Sequence, residues 1–135
     1  MQGKITLITP PDIWENENLS ILLIDLNEND QVSCSEFLKT CEFKENLNIY
    51  FYSGEENTIW FLYALARADY IFCNIDNSSF ISRLLLGYIL AKNNVYYQTE
   101  NNNISAVLSH INQNRTTKIE LFLEEILKKA TKDEK

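Results

Sequence analysis

DYIFCNIDNSSFISRLLLGYILAKNNVYYQT, residues 69–99, is the stretch on which the fold turns. It opens on Asp69–Ile75, an aromatic and β-branched run of strand length. Asn77-Ser78-Ser79 then offer side-chain oxygens of the kind that cap a helix. Phe80, Ile81, Leu84, Leu85 and Tyr88 follow at helical spacing and form a wide apolar stripe. Asn93-Asn94 interrupt it, and Val95–Thr99 reads as a second strand. A strand, an amphipathic helix and another strand make a βαβ unit, whose strands lie parallel with the helix across one face.

The rest of the chain extends that unit. Ile5–Thr9 is a β-branched run closed by Pro10-Pro11. Ile21–Leu26 (ILLIDL) is nearly all apolar, as a strand covered on both faces should be. Ser33–Cys41 predicts a helix: Ser33 and Glu36 have capping-box spacing, and Phe37, Leu38 and Cys41 share one side. Asn48–Tyr52 is a third strand, ended by Ser53-Gly54. Asn57–Arg67 predicts a helix with Ile59, Leu62, Tyr63 and Ala66 at helical spacing. Ile104–Ile111 is a short helix. Lys118–Lys129 is a firmer one, with Ile119, Phe122, Leu123, Ile126 and Leu127 on one face. The expected architecture is a three-layer α/β sandwich of the flavodoxin or Rossmann-like kind. Its five-stranded sheet is mainly parallel, in the common order 2-1-3-4-5. The link from Pro10 to Ser20 is short for a parallel crossover. The second strand is therefore expected either to be joined irregularly or to run antiparallel at an edge. Residues 1–130 form one domain, and the charged tail 131–135 is expected to fray.

Composition narrows the function. At 135 residues the chain has room for one domain. Nineteen acidic against twelve basic residues give a net charge of −7, which argues against a duplex nucleic acid or an anionic membrane as partner. The apolar runs are far below the roughly 20 residues of a membrane span, and the N-terminus lacks the pattern of a signal peptide. Cys34, Cys41 and Cys73 have no C-x-x-C spacing, and His110 is the only histidine. Free thiols in a reducing, cytoplasmic setting follow, with no metal expected. With Gly3, Gly54 and Gly87 as the only glycines, no phosphate loop can be built; no cofactor is expected. The abundance of Asn, Ile, Lys and Glu is that of AT-rich coding, as in some phages and low-GC bacteria.

In an open parallel sheet, ligands bind beyond the carboxyl ends of the strands, where the strand order reverses. Candidate ligand-binding residues there are Thr9, Gly54, and the run Asp76, Asn77, Ser78 and Ser79 opening a helix, where free N–H groups and the helix dipole favour anions or sugar hydroxyls. The same residues would serve equally as a plain helix cap.

Residues 66–99 also resemble the nucleoside 2-deoxyribosyltransferase superfamily. The resemblance lies in Ala68-Asp69 opening a strand that ends near Asp76, and in Gly87, Tyr88, Ala91 and Lys92 on the helix that follows. It implies the same sandwich fold. The family's nucleophilic Glu stands two residues before that Gly, and Leu85 occupies the position here. The segment that helps hold the nucleoside is replaced by Asn77-Ser78-Ser79-Phe80. Leu85 cannot form a glycosyl-enzyme bond; Glu55 or Glu56 would be the substitute carboxylate if one is used. Two functions are therefore expected to compete. One is a non-catalytic accessory or protein-interaction module, phage-encoded and acting in the virion or on a host factor. The other is a nucleoside- or nucleotide-binding protein or divergent N-glycosidase. Homo-oligomerisation is left open by the sequence.

Overall fold

The computed structural model describes residues 3–7, 18–52, 58–77, 86–92, 94–116 and 118–133. Its strands are β1 (Ile5–Leu7), β2 (Leu19–Ile24), β3 (Leu47–Tyr52), β4 (Tyr70–Asn74) and β5 (Val95–Gln98). Its helices are α1 (Glu28–Thr40), α2 (Thr58–Arg67), α3 (Leu86–Leu90), α4 (Asn102–Leu108) and α5 (Ile119–Asp133), with a 3-10 turn at Ile75–Asn77. Every strand pair is parallel, in the order β1-β3-β2-β4-β5.

That order corrects the expectation for the second strand. β2 is neither antiparallel nor at an edge; it pairs with β3 on one side and β4 on the other. Its Ile-Leu-Leu-Ile run fits that place: Ile21, Leu22, Leu23 and Ile24 are all wholly buried, as in a strand with a neighbour on each side and helices over both faces. The five strands therefore do not stand in the expected order 2-1-3-4-5; that pattern appears only when β1 is left out and β2 is counted as the first strand. Its last strand is reduced to a single parallel bridge between Tyr97 and Arg115, closed by Tyr97 N–H to Asn114 and Thr116 N–H to Tyr97. β1 is an addition outside β3, docked through the Gly3 N–H on the Phe43 carbonyl (2.8 Å).

Period-2 alternation sorts the side chains between two cores. Ile21, Leu23, Leu47, Ile49, Phe72 and Tyr96 face α1 and α5; Leu22, Ile24, Tyr50, Tyr52, Cys73 and Tyr97 face α2, α3 and α4. The crossovers require this division. β2 to β3 steps one way along the sheet and β3 to β4 steps the other, so right-handed connections place α1 and α2 on opposite faces.

The helices agree with the sequence unevenly. In α5, Ile119, Phe122, Leu123, Ile126 and Leu127 are all buried, as their spacing predicts. α1 begins at Glu28 rather than Ser33. Asn27 is its cap, accepting the Asp30 N–H at 2.8 Å, and Glu28 and Asp30 complement the helix dipole. Ser33 lies inside the helix, so the expected capping box does not form. α2 buries the opposite stripe from the expected one. Phe61, Ala64, Leu65 and the following Ala68 are inside, whereas Ile59 is 83% exposed and Leu62, Tyr63 and Ala66 are also outside. The helix is apolar nearly all round, so periodicity could not choose its face. Shape did: Phe61 stacks on Tyr52 with ring centroids 3.8 Å apart, and the alanines allow close approach. Tyr88 is likewise exposed, while Ile89 and Leu90 of α3 are buried.

Candidate functional site

β2 connects towards β3, while β4 lies on its other side, so the carboxyl ends of β2 and β4 flank the point where the strand order reverses. A cleft of about 260 Å³ opens there, lined by Asn27, Asn74, Asp76, Asn77, Gln98 and Glu100. Each residue is placed by the end of an element. Asn27 caps α1 after β2, Asn74 ends β4, Asp76 and Asn77 form the 3-10 turn, and Gln98 ends β5 with Glu100 just beyond.

Side-chain amides tie these ends together. Asn74 Nδ2 donates to Asp30 Oδ2 (2.9 Å), and Asn74 Oδ1 accepts the Asn77 N–H (3.2 Å). Asn77 Nδ2 donates to the Asp25 carbonyl (2.7 Å). Asp25 is buried and has φ 58°, a left-handed conformation that Asp tolerates better than most residues. It turns the chain sharply out of β2 into the cap of α1. Asp76 is held on both oxygens: Thr99 Oγ1 donates to Oδ1 (2.6 Å) and the Glu100 N–H donates to Oδ2 (2.7 Å). The Thr99 carbonyl accepts from an Arg115 guanidinium nitrogen (2.7 Å). Asp76 is thus a strut between the end of β4 and the end of β5.

The chemistry left over is mostly that of acceptors. Gln98 Oε1 is buried in the cleft wall without a donor, and among the described residues no Lys or Arg lines the cleft. Among the described residues no three His, Cys, Asp or Glu side chains converge to hold a metal ion. Such a wall suits a polar ligand that brings N–H or O–H groups, and it offers a phosphate no positive charge.

Asp76 and Asn77 are thus brought into one cleft. Thr9, Gly54, Ser78 and Ser79 lie outside the described residues, as do Leu85, Glu55 and Glu56. The strand preceding Thr9 is at the sheet edge, with β3 and β2 between it and β4. Asn27, Gln98 and Glu100 stand at or just past the ends of β2 and β5, where the carboxyl-end rule points when it is applied to every strand. Asp69, part of the family resemblance, sits at the opposite end of the sheet, where its Oδ2 accepts the Ser20 N–H (2.8 Å).

No protein-family model matches this chain, and no curated protein does.

The thiols of Cys34, Cys41 and Cys73 lie away from the cleft lining and form no disulfide. Burial pushes Cys34 up to about 12, with Glu120 adding to the shift; burial, then the Asp25 charge, raises Cys73 further. Both are core groups with little thiolate to offer as nucleophile. His110 is exposed just after α4. No helix among the described residues is long and apolar enough to cross a membrane.

Proposed function

We propose that this chain works by recognition rather than catalysis, as a non-catalytic, deoxyribosyltransferase-like module that serves as an accessory or interaction protein. Phage encoding, with action in the virion or on a host factor, belongs to the same proposal. The observation that carries it is the uneven surface. Seven of the ten exposed large hydrophobic side chains among the described residues belong to α2, α3, α4 or the turn after α4. Scattered apolar residues are ordinary on a surface, but their concentration on one layer is what an interaction face looks like. Leu85, at the position of the family's nucleophile, supports the non-catalytic part. So does Asp76, whose two oxygens are already engaged by the protein. The direct test incubates the purified chain with each common deoxynucleoside and deoxynucleotide and follows free base. None is expected. Base release abolished by Glu55→Gln or Glu56→Gln would overturn the reading.

A second reading, nucleoside binding without turnover, is favoured by the acceptor-rich cleft and the donor-less Gln98 Oε1. It predicts that nucleosides raise the melting temperature and that the corresponding nucleotides do so less, since the phosphate meets Asp76 and Glu100. Equal stabilisation by both, or by neither, would defeat it.

A further inference from the structure

The cleft wall has more free acceptors than donors. Asn74 uses both ends of its carboxamide on Asp30 and the Asn77 N–H, and Asn77 Nδ2 is taken by the Asp25 carbonyl. What is left to a ligand is Asn77 Oδ1, Gln98 Oε1, the exposed carboxylate of Glu100 and a further lone pair on each oxygen of Asp76. Against these acceptors, only Asn27 Nδ2 and Gln98 Nε2 remain as donors among the lining side chains. The lack of donors continues beside Gln98. The bridge between Tyr97 and Arg115 sets Gln98 next to Thr116, and Thr116 Oγ1 is likewise buried without a partner. Neighbouring residues at the end of the sheet thus each bury an oxygen that nothing satisfies, where buried polar atoms are normally paired. The charges agree. Asp76 and Glu100 line the cleft, and Asp30 joins it through Asn74. α1 opens on the cleft at Asn27, and Glu28 and Asp30 in its first turn offset the positive end of its dipole. The basic residues flanking Thr116 in the chain are Arg115 and Lys118. The Arg115 guanidinium is held on the Thr99 carbonyl (2.7 Å), and neither residue is in the lining.

We propose that the cleft binds a small cationic amine, an alkylammonium compound whose N–H groups donate to Gln98 Oε1, Asn77 Oδ1 and the carboxylates of Asp76 and Glu100. This rests on the cleft being a ligand site, as in the nucleoside reading above, and replaces the neutral nucleoside by a ligand of stated charge. An ammonium has donors and no acceptor, the complement of this wall, whereas a hydroxyl brings acceptor lone pairs with every donor. Its hydrogen bonds to carboxylates are the strong, charge-assisted kind. Among the described residues no aromatic or aliphatic side chain lines the cleft, so a nucleobase finds no face to stack on. A bare metal ion fits less well. Calcium asks for about six to eight oxygens at once, and among the described residues no three His, Cys, Asp or Glu side chains converge. The cleft volume of about 260 Å³ is also that of a small molecule, far larger than an ion.

The test titrates the whole purified chain with 1,4-diaminobutane and with 1,4-butanediol, its uncharged counterpart of the same length. Calorimetry should give saturable binding of the diamine, with a raised melting temperature, and none of the diol. Glu100→Gln and Gln98→Met should each weaken the diamine roughly tenfold, the effect of one lost charge-assisted hydrogen bond. Glu36→Gln makes the same charge change at an exposed position of α1 outside the lining, and should leave affinity unchanged. Circular dichroism confirms that the variants fold; Gln98→Met removes an oxygen that has no partner to lose. Diamine binding that survives either cleft substitution would show amines gathered by the net charge of −7, and overturns the proposal. Equal binding of the diol overturns it as well. So does stabilisation by calcium chloride that the cleft substitutions abolish. Deoxynucleosides separate the two readings of the cleft. If they bind and the diamine does not, the proposal falls and the nucleoside reading stands. If neither binds, both fall.

Discussion

Replacing Phe61 and Ile59 in turn by alanine reads out which side of α2 faces the sheet. Phe61 is wholly buried and stacked on Tyr52, whose ring is itself 1% exposed. Truncation removes the ring's transfer energy and leaves a cavity that Ala64, Leu65 and Tyr52 cannot fill without moving. The usual cost of such a change is about 3–5 kcal/mol. Ile59 is 83% exposed, so less than a fifth of its surface is removed from water. Scaling the roughly 1.5–3 kcal/mol of full burial by that fraction leaves about 0.4 kcal/mol, which the better helix propensity of alanine offsets. Ile59→Ala should therefore be neutral within about 0.5 kcal/mol. Urea unfolding followed by circular dichroism measures both, since a domain of this size is expected to unfold in one step. A loss below about 1 kcal/mol for Phe61→Ala, together with more than about 2 kcal/mol for Ile59→Ala, would show that the helix is turned the other way. The recognition reading, which counts Ile59 among its exposed apolar side chains, would lose its main support with it.

Asn27→Ala removes the cap of α1 and should cost about 1 kcal/mol in the same unfolding experiment. Asn112→Ala strips the Nδ2 that donates to the carbonyls of Leu90 (3.1 Å) and Val95 (3.0 Å) inside the core, and the Oδ1 that accepts the Asn114 N–H (2.7 Å); Val95 keeps a donor in Asn114 Nδ2 (3.2 Å), but the Leu90 carbonyl and the Asn114 N–H lose their partners, which should cost roughly 2–3 kcal/mol. Cys34 sets a pH dependence. Its thiol titrates near 9.0 when unfolded and is pushed up to about 12 by burial, so the unfolded chain gives up the proton first. The stability this group contributes is complete below pH 9, declines as pH rises and is lost by pH 12. The urea midpoint should fall across that window, and less steeply in Cys34→Ala. Gly3→Ala should undock β1, because an added Cβ would overlap the Glu45 carbonyl; faster exchange of the Leu47 amide, which donates to the Lys4 carbonyl, is the signature.

The sequence by itself determined the strands and the class of fold. Hydrophobic runs such as Ile21–Ile24 and Asp69–Ile75 alternate with amphipathic stretches, and that periodicity is local, so it can be read without knowing what packs where. α5 was legible for the same reason: its charged and apolar faces are distinct, and only one can be buried. Tertiary structure decided what periodicity leaves degenerate. α2 has two apolar stripes, and the fit of Phe61 against Tyr52 chose between them. β1 and β2 could have been neighbours. The two fully apolar faces of β2 made it central, and the short β1 went to the edge. Of the cleft, Asp76 and Asn77 were visible as a polar run after a strand. Asn27, Gln98 and Glu100 come from the ends of other strands, far away in the chain. They share a cleft with that run only because parallel pairing brings the carboxyl ends of β2, β4 and β5 together.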